Sequence, residues 1–396
     1  MSLEPKLPAR LRVGILIDNK KIGGSERQAA LLARELHRRG VHVTVYIAAR
    51  PYRNCPAEEV DFSGLRTRYL WSGPFQRLGR RSLDRACLAL LLRLGRIGLL
   101  HCFVLDTRET LRLPSAAGAA GIRAVVGGVR NIGFVEDSAY RGRLKIASRM
   151  LIGLTCNSRE TARRLLGYGI VEPDRLHVIE NGLEMPKRDD GESGRVERRR
   201  EVLFAGRLTA VKDPLCFVRS AITLLKDGRP YRFVIAGDGA LRHEILKLIE
   251  DAGVASAFKL PGVLRPETIP YHQARLLVNT SLSEGSSNAI LEGLAHGIPV
   301  VATAVGGTKE LLEGHSFASL VEPKNSGSLA AAIDYWLMLE DNQWRTASTQ
   351  AREFVRARFG VSRMADQHCE FYRWALGTGQ HSPARDAFPP LTARVS

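Results

Sequence analysis

The chain runs to 396 residues, 44% of them hydrophobic, which is enough apolar material for two cores of roughly 150 to 200 residues and too much chain for one. No window of 18 apolar residues is free of charge, and the six cysteines (Cys55, Cys87, Cys102, Cys156, Cys216, Cys369) form no C-x-x-C pair, which argues against a spanning helix, a disulfide framework and a zinc ribbon. The net charge of +17 is lopsided, with 31 lysines and arginines against 16 acids in residues 1–182 and 27 against 25 in the remainder.

The opening "MSLEPKLPARLRVGILI" has no extended apolar region followed by a small-residue cleavage site. Its apolar run is therefore predicted as a first strand over 12–17, with a cytoplasmic location. There follows "DNKKIGGSERQAA", in which Gly23 and Gly24 stand before a helix predicted over 25–39. Two glycines let backbone approach a ligand, and a helix N-terminus offers N–H groups to an oxyanion. The spacings of the dinucleotide turn and of the P-loop are both absent, so a simple turn is the competing reading. Further strands are predicted at 42–48, 65–70, 99–103, 123–129, 152–156 and 177–179, with helices at 83–94, 109–120, 141–149 and 158–166. From Arg66 to Arg96 eight arginines face a single acid, Asp84, and are interleaved with Tyr69, Trp71 and Phe75. Such a basic amphipathic surface suits anionic lipid head groups or an anionic acceptor; a solvated arginine-rich face is the plainer reading. His101 near one strand end, and Arg130 with Asn131 after another, are candidate cleft residues; a strand terminus and a capping turn compete with them.

The stretch 184–200, "EMPKRDDGESGRVERRR", is polar and without periodicity, so it reads as a linker. The alternation then restarts with strands at 202–205, 232–236, 258–260, 276–280, 299–303 and 318–321 and helices at 215–226, 241–251, 287–295 and 328–339. Two such series predict two doubly wound parallel α/β domains, with ligand sites at the carboxyl ends of strands, and a cleft where two such edges face each other. The expected division is 1–182, a linker at 183–200, a second domain at 201–362, a helix at 363–376 crossing back to the first domain, and a disordered tail at 377–396.

Three motifs in the second half fall just after predicted strands. In "VLFAGRLTAVKDP", Arg207 and Lys212 place a planar fork and a point charge where a diphosphate would fit. In "RFVIAGDGALRHEI", the glycines of the Gly-Asp-Gly turn read as structural. In "SEGSSNAILEGLAHGIPVVATAVGG", Glu284 precedes a helix for which Ser286, Ser287 and Asn288 are N-cap candidates, and Glu292 lies about two turns along it. The corner offers amides to phosphate, and the flanking carboxylates can accept hydrogen bonds from sugar hydroxyls.

Taken together, "GGSER", "VIENGLE", "FAGRL" with Lys212, "IAGDG", the E-x7-E run "EGSSNAILE" and "GIPVVATAVGG" resemble the retaining glycosyltransferases of the GT-B fold, family 4. The resemblance implies two Rossmann-like domains facing across a cleft. It also implies transfer of a sugar, hexosyl or N-acetylhexosaminyl, from a nucleoside diphosphate donor to an acceptor hydroxyl. A UDP-sugar is the expected donor, no metal or other cofactor is expected, and the setting is envelope or exopolysaccharide glycan synthesis. By match to the motifs, Arg207 and Lys212 hold the diphosphate, Glu284 addresses the donor sugar and Glu292 the ribose. Gly285, Ser286, Ser287 and Asn288 form the corner around phosphate and sugar, and Gly24 the loop that closes over the diphosphate. The expected partners are the nucleotide sugar, an anionic glycan or lipid-linked acceptor and, through the basic first domain, the inner membrane surface; no nucleic-acid motif is found. One departure is that Phe103 stands where family members often carry a histidine. This keeps open a catalytically inactive sugar-nucleotide-binding partner as the alternative.

Overall fold

The computed structural model describes residues 7–8, 10–18, 23–48, 60–69, 89–103, 105, 117–118, 120–130, 137–186 and 201–378. The chain divides into two units, one made of residues Met1–Gly182 and Val361–Ser396, the other of Leu183–Gly360.

The sheet of the first unit contains β1 (Arg12–Ile17), β2 (His42–Ile47), β3 (Arg66–Tyr69), β4 (Leu99–Cys102), β5 (Ala124–Val129), β6 (Leu154–Cys156) and β7 (Leu176–Val178). Their order is β3-β2-β1-β4-β5-β6-β7, and every pairing is parallel. All of β4 and β5, and all of β1 beyond Arg12, is buried. Covering both faces of a sheet removes the usual alternation and leaves near-continuous apolar runs, which is why these strands were readable. Helices α1 (Gly24–Arg38), α2 (Ser138–Ser148) and α3 (Arg159–Gly167) connect them. Asp137 and Ser158 cap the last two, accepting from the amides of Tyr140 and Thr161. The Asp137 cap starts α2 three residues earlier than its apolar pattern does.

In the second unit, β8 (Glu201–Ala205), β9 (Arg232–Ala236), β10 (Phe258–Gly262), β11 (Leu276–Asn279), β12 (Val300–Thr303) and β13 (Ala318–Val321) are ordered β10-β9-β8-β11-β12-β13. These pairings too are all parallel. The helices are α4 (Pro214–Lys226), α5 (Arg242–Asp251), α6 (Asn288–Ala295), α7 (Gly306–Leu312), α8 (Ser326–Met338) and α9 (Asp341–Arg358). Neither α7 nor α9 has a counterpart among the predicted helices. The first is short and opens on two glycines, and the second buries only a narrow seam of Trp344, Ala347, Ser348, Ala351 and Val355 beneath a charged surface.

After Gly360 the chain enters α10 (Val361–Ala375), which belongs to the first unit. It packs on α1 and β5 through Met364, Ala365, His368, Cys369, Phe371, Tyr372 and Ala375, the spacing of a helical stripe. Arg39 secures it, pairing with Asp366 at 2.5 Å. Residues 187–200 of the linker predicted at 183–200, the tail beyond 378, most of the predicted helices at 83–94 and 109–120, and Trp71 and Phe75 lie outside the described residues. Among the described residues no helix is long and apolar enough to cross a membrane, and Cys102, Cys156, Cys216 and Cys369 are free, buried thiols.

Candidate active site

In the second sheet the chain reverses its direction of growth at β8, which has β9 on one side and β11 on the other. Loops leaving the carboxyl ends of such neighbours diverge and open a crevice. The loop after β8 carries Arg207 and Lys212, and the loop after β11 carries Glu284.

The first loop is laid onto the Gly-Asp-Gly turn that follows β9. The Gly206 amide donates to Ala236 O at 3.0 Å, the Leu208 amide to Asp238 O at 2.9 Å, and the Leu241 amide to Leu208 O at 3.0 Å. A Cβ on Gly237 would stand 1.9 Å from Gly206 O, and one on Gly239 2.4 Å from Leu208 O. Glycine is therefore required at both positions by the close approach of the Arg207 loop, the structural role expected of them. Leu208 is buried as the anchor, and its neighbour Arg207 is exposed.

A 3-10 turn, Ala210–Lys212, leads to Asp213, whose left-handed φ of 43° lets its side chain cap α4 through the Cys216 amide. The turn is tied to the end of β11. Thr280 Oγ1 reaches Lys212 O at 2.9 Å and Asp213 O at 2.8 Å, and the Leu282 amide donates to Val211 O at 2.7 Å. This stitching delivers the Lys212 ammonium to Glu284 Oε1, with which it forms an ion pair. Ser281 Oγ donates to the same carboxylate oxygen at 2.8 Å. From behind, the Gly307 amide donates to Glu284 O at 2.9 Å. Gly306, at φ +46°, leaves room that a Cβ would fill 2.4 Å from that carbonyl. The second glycine pair of the sequence motif thus lets the start of α7 close on the back of the Glu284 loop.

Gly285, Ser286 and Ser287 lead into α6, whose first residue is Asn288. Ser287 occupies the N-cap position but makes no side-chain cap; its hydroxyl accepts from Asn279 Nδ2 at 3.2 Å, which fastens the corner to β11. This corrects the expectation of a side-chain cap. Glu292 is buried on the second turn, and its Oε2 accepts from the Tyr271 hydroxyl at 2.8 Å. Arg207, Lys212, Glu284, the corner and Glu292 therefore all follow β8 or β11, the two strands that flank the reversal.

The first unit treats its candidates differently. Gly24 is the first residue of α1. One turn on, Gln28 makes two 2.8 Å hydrogen bonds with the backbone of Gly182. His101 and Arg130, candidates for a cleft contact with a strand terminus and a capping turn as the competing readings, are buried at 0% and 5% exposure. His101 Nδ1 lies 2.8 Å from the Tyr372 hydroxyl, and its ring is 5.6 Å from that of His368. Arg130 lies over the Phe103 ring at 4.2 Å and donates to Asn181 Oδ1 at 3.1 Å. Its Nη2 stands 3.5 Å from His368 Nε2. Met364 O, 2.8 Å from His368 Nδ1, accepts from that nitrogen and so fixes the ring's proton there, leaving Nε2 as the acceptor that faces Arg130. Burial, then the neighbouring guanidinium of Arg130, pushes the pKa of His368 down to about 3, and burial carries His101 well below its ordinary value. Both imidazoles are neutral; His368 is carried by α10, and that helix covers His101 and Arg130. Period and position could not foresee this, because the covering helix comes from 260 residues further along the chain. Asn131 lies outside the described residues. Sequence reasoning also missed Ser281 and Tyr271; Ser281 stood in view three residues before Glu284, whereas nothing local marks Tyr271.

A family model described as "Glycosyl transferases group 1" matches residues 199–338, and one described as "Glycosyltransferase Family 4" matches residues 22–185. The chain belongs to the family 4 glycosyltransferases. It is 29% identical over 246 residues to the alpha-D-kanosaminyltransferase of Streptomyces kanamyceticus, a match spanning 59% of this chain and 62% of that one. Its identity to the D-inositol 3-phosphate glycosyltransferase of Acidothermus cellulolyticus is 28%, over 78% of this chain and 77% of the other. Among solved structures, HepE of Anabaena, crystallised with UDP and glucose, superposes with a TM-score of 0.76 at 19% identity, covering 92% of this chain and all of that one. The fold is that of the GT-B glycosyltransferases.

Proposed function

We propose that the chain is a retaining, metal-independent glycosyltransferase that moves a hexosyl or N-acetylhexosaminyl group from a UDP-sugar to an acceptor hydroxyl in glycan synthesis. The observation that carries this reading is the pairing of Lys212 with Glu284 at the carboxyl ends of β8 and β11, with exposed Arg207 on the same loop. In the reaction the bond from the anomeric carbon to a diphosphate oxygen breaks, and the acceptor oxygen bonds to that carbon. The acceptor proton leaves with the diphosphate. Negative charge grows on the departing oxygen, and Lys212 and Arg207 are placed to meet it in the role a divalent ion would otherwise take. Glu284 then accepts from sugar hydroxyls and Glu292 from the ribose. The UDP complexes of HepE support the choice of base. The inositol phosphate glycosyltransferases among the relatives support an anionic acceptor, as does the +15 balance of residues 1–182. Exposed Leu90 and Leu94 beside exposed Arg93 and Arg96 support docking on an anionic membrane face in the cytoplasm.

Phe103, buried under Arg130 where the family often carries a histidine, favours one other reading, a partner protein that binds sugar nucleotides without transferring sugar. A thermal-shift panel of UDP-, GDP- and ADP-sugars should single out the UDP series, since a ligand at 100 times its dissociation constant stabilises by roughly 2.7 kcal/mol. Slow release of UDP from the stabilising donor in the presence of EDTA is the expected result. Binding without any release would favour the inactive partner, and release that needs added magnesium or manganese would overturn metal independence.

A further inference from the structure

Tyr271 belongs to no strand or helix of the second sheet, yet it is one of the largest fully enclosed side chains of the unit, at 2% exposure. Its backbone is pinned by the Tyr271 amide, which donates a hydrogen bond to Ile269 O at 2.7 Å. Its ring stacks on His296 with centroids 5.2 Å apart and planes 16° from parallel. His296 follows α6 and donates its amide to Glu292 O at 3.1 Å, so ring, histidine and glutamate form one closed cluster around the second turn of the helix. The Tyr271 hydroxyl ends on Glu292 Oε2 at 2.8 Å. A glutamate side chain has three rotatable bonds, and a carboxylate that must receive a ligand hydroxyl gains by having them fixed beforehand.

We infer that Tyr271 is a positioning residue for the nucleoside end of the donor: its hydroxyl holds the Glu292 carboxylate in the orientation that accepts the ribose hydroxyls. The inference rests on the reading of Glu292 as the ribose acceptor. Stacking against His296 sets the direction of the phenol, and the phenol sets the direction of the carboxylate. Tyr271→Phe keeps the ring and the stack and removes the hydroxyl's hydrogen bond to Glu292 Oε2, so the fold is retained while the carboxylate loses that hold.

The test uses the nucleoside diphosphate that gives the largest stabilisation in the UDP, GDP and ADP panel, together with its 2′,3′-dideoxy form. Affinities for both are measured by calorimetry on the wild-type chain and on Tyr271→Phe, with thermal midpoints of the unliganded proteins as the control for folding. The wild type should prefer the natural ribose by about tenfold or more, the scale of a hydrogen bond to a charged group. Tyr271→Phe should lose most of that preference while binding the dideoxy form as the wild type does and keeping its kcat at saturating donor. A general packing defect would weaken both ligands alike. A Tyr271→Phe variant that keeps the wild-type preference overturns the assignment of Tyr271 and leaves the ribose reading standing. A wild type without any preference overturns the ribose reading, and the assignment of Tyr271 with it. Should Tyr271→Phe prove unstable, His296→Ala leaves the hydroxyl in place but removes the stack. It should then show a partial loss of the preference, and full retention there counts against the stack as the aiming element.

Discussion

The two units share a strand order around their central reversal, β2-β1-β4 in one and β9-β8-β11 in the other, yet they use the polar residues near those strands in opposite ways. In the second unit the loops after β8 and β11 leave Arg207 exposed and Lys212 partly exposed beside the buried Glu284, and they hold them by short stitches from Thr280, Ser281 and Gly307. In the first unit His101, Arg130 and Asn181 lie in a sealed seam with His368 and Tyr372 of α10. A residue type and its place after a strand therefore do not by themselves make a ligand contact; what the rest of the chain lays over it decides. A histidine made neutral by burial is a packing residue, whereas a partly exposed lysine held against a buried carboxylate is available to an anion.

The largest effect should come from the charged loop. Lys212→Ala should lower turnover at saturating donor by about a thousandfold, the scale for removing a group that meets charge developing in the transition state, while the thermal midpoint barely moves. A loss below tenfold would mean that the two switch points are more alike in chemistry than their charges indicate.

Acid should separate the units next. His177, enclosed between Phe371 and Trp374 at 4.6 Å from each ring, has its pKa pushed down by burial to about 4, and His368 to about 3. Each takes up a proton in the unfolded chain near pH 6.5, before it does so when folded. Their contribution is therefore complete above pH 6.5 and drains away as the pH falls toward 4, by about 1.4 kcal/mol per pH unit for each histidine. Amide exchange should rise first along α10, well before α6 and α8. Simultaneous opening of both units would contradict a neutral histidine seam.

Smaller still is the expected cost of Gly237→Ala, about 1 to 3 kcal/mol of stability from driving a Cβ into Gly206 O, accompanied by weaker donor binding because the Arg207 loop shifts. Denaturant unfolding and calorimetry on one preparation would check both. The least effect on turnover should belong to His368→Gln, which ought to lower the thermal midpoint and leave the rate at a permissive temperature unchanged. A marked fall in kcat there would move the seam of α10 into the chemistry.

Much of this contrast was legible in the sequence, and the rest was hidden for physical reasons. Apolar runs of four to six residues marked the strands because both faces of each sheet are covered. The E-x7-E spacing, the lone Arg207 and Lys212 and the glycine pairs stood in short segments whose meaning is local. The burial of His101 and Arg130 depends on α10, a contact closed over more than 230 residues of intervening chain, and no period or motif carries that. Likewise Ser287 has the composition of a helix cap but is drawn to Asn279 instead, because tertiary partners compete with local ones for the same hydroxyl. Tyr271 gave no signal, since an aromatic in a loop looks the same whether its hydroxyl meets water or Glu292.

The central claim is that the donor is held by the loops after β8 and β11. Hydrogen–deuterium exchange on the full chain, with and without a saturating UDP-sugar, tests it most directly. Strong protection of amides within 206–213 and 281–292, lost in Lys212→Ala, is the predicted result. Protection elsewhere with those two segments unchanged would contradict it.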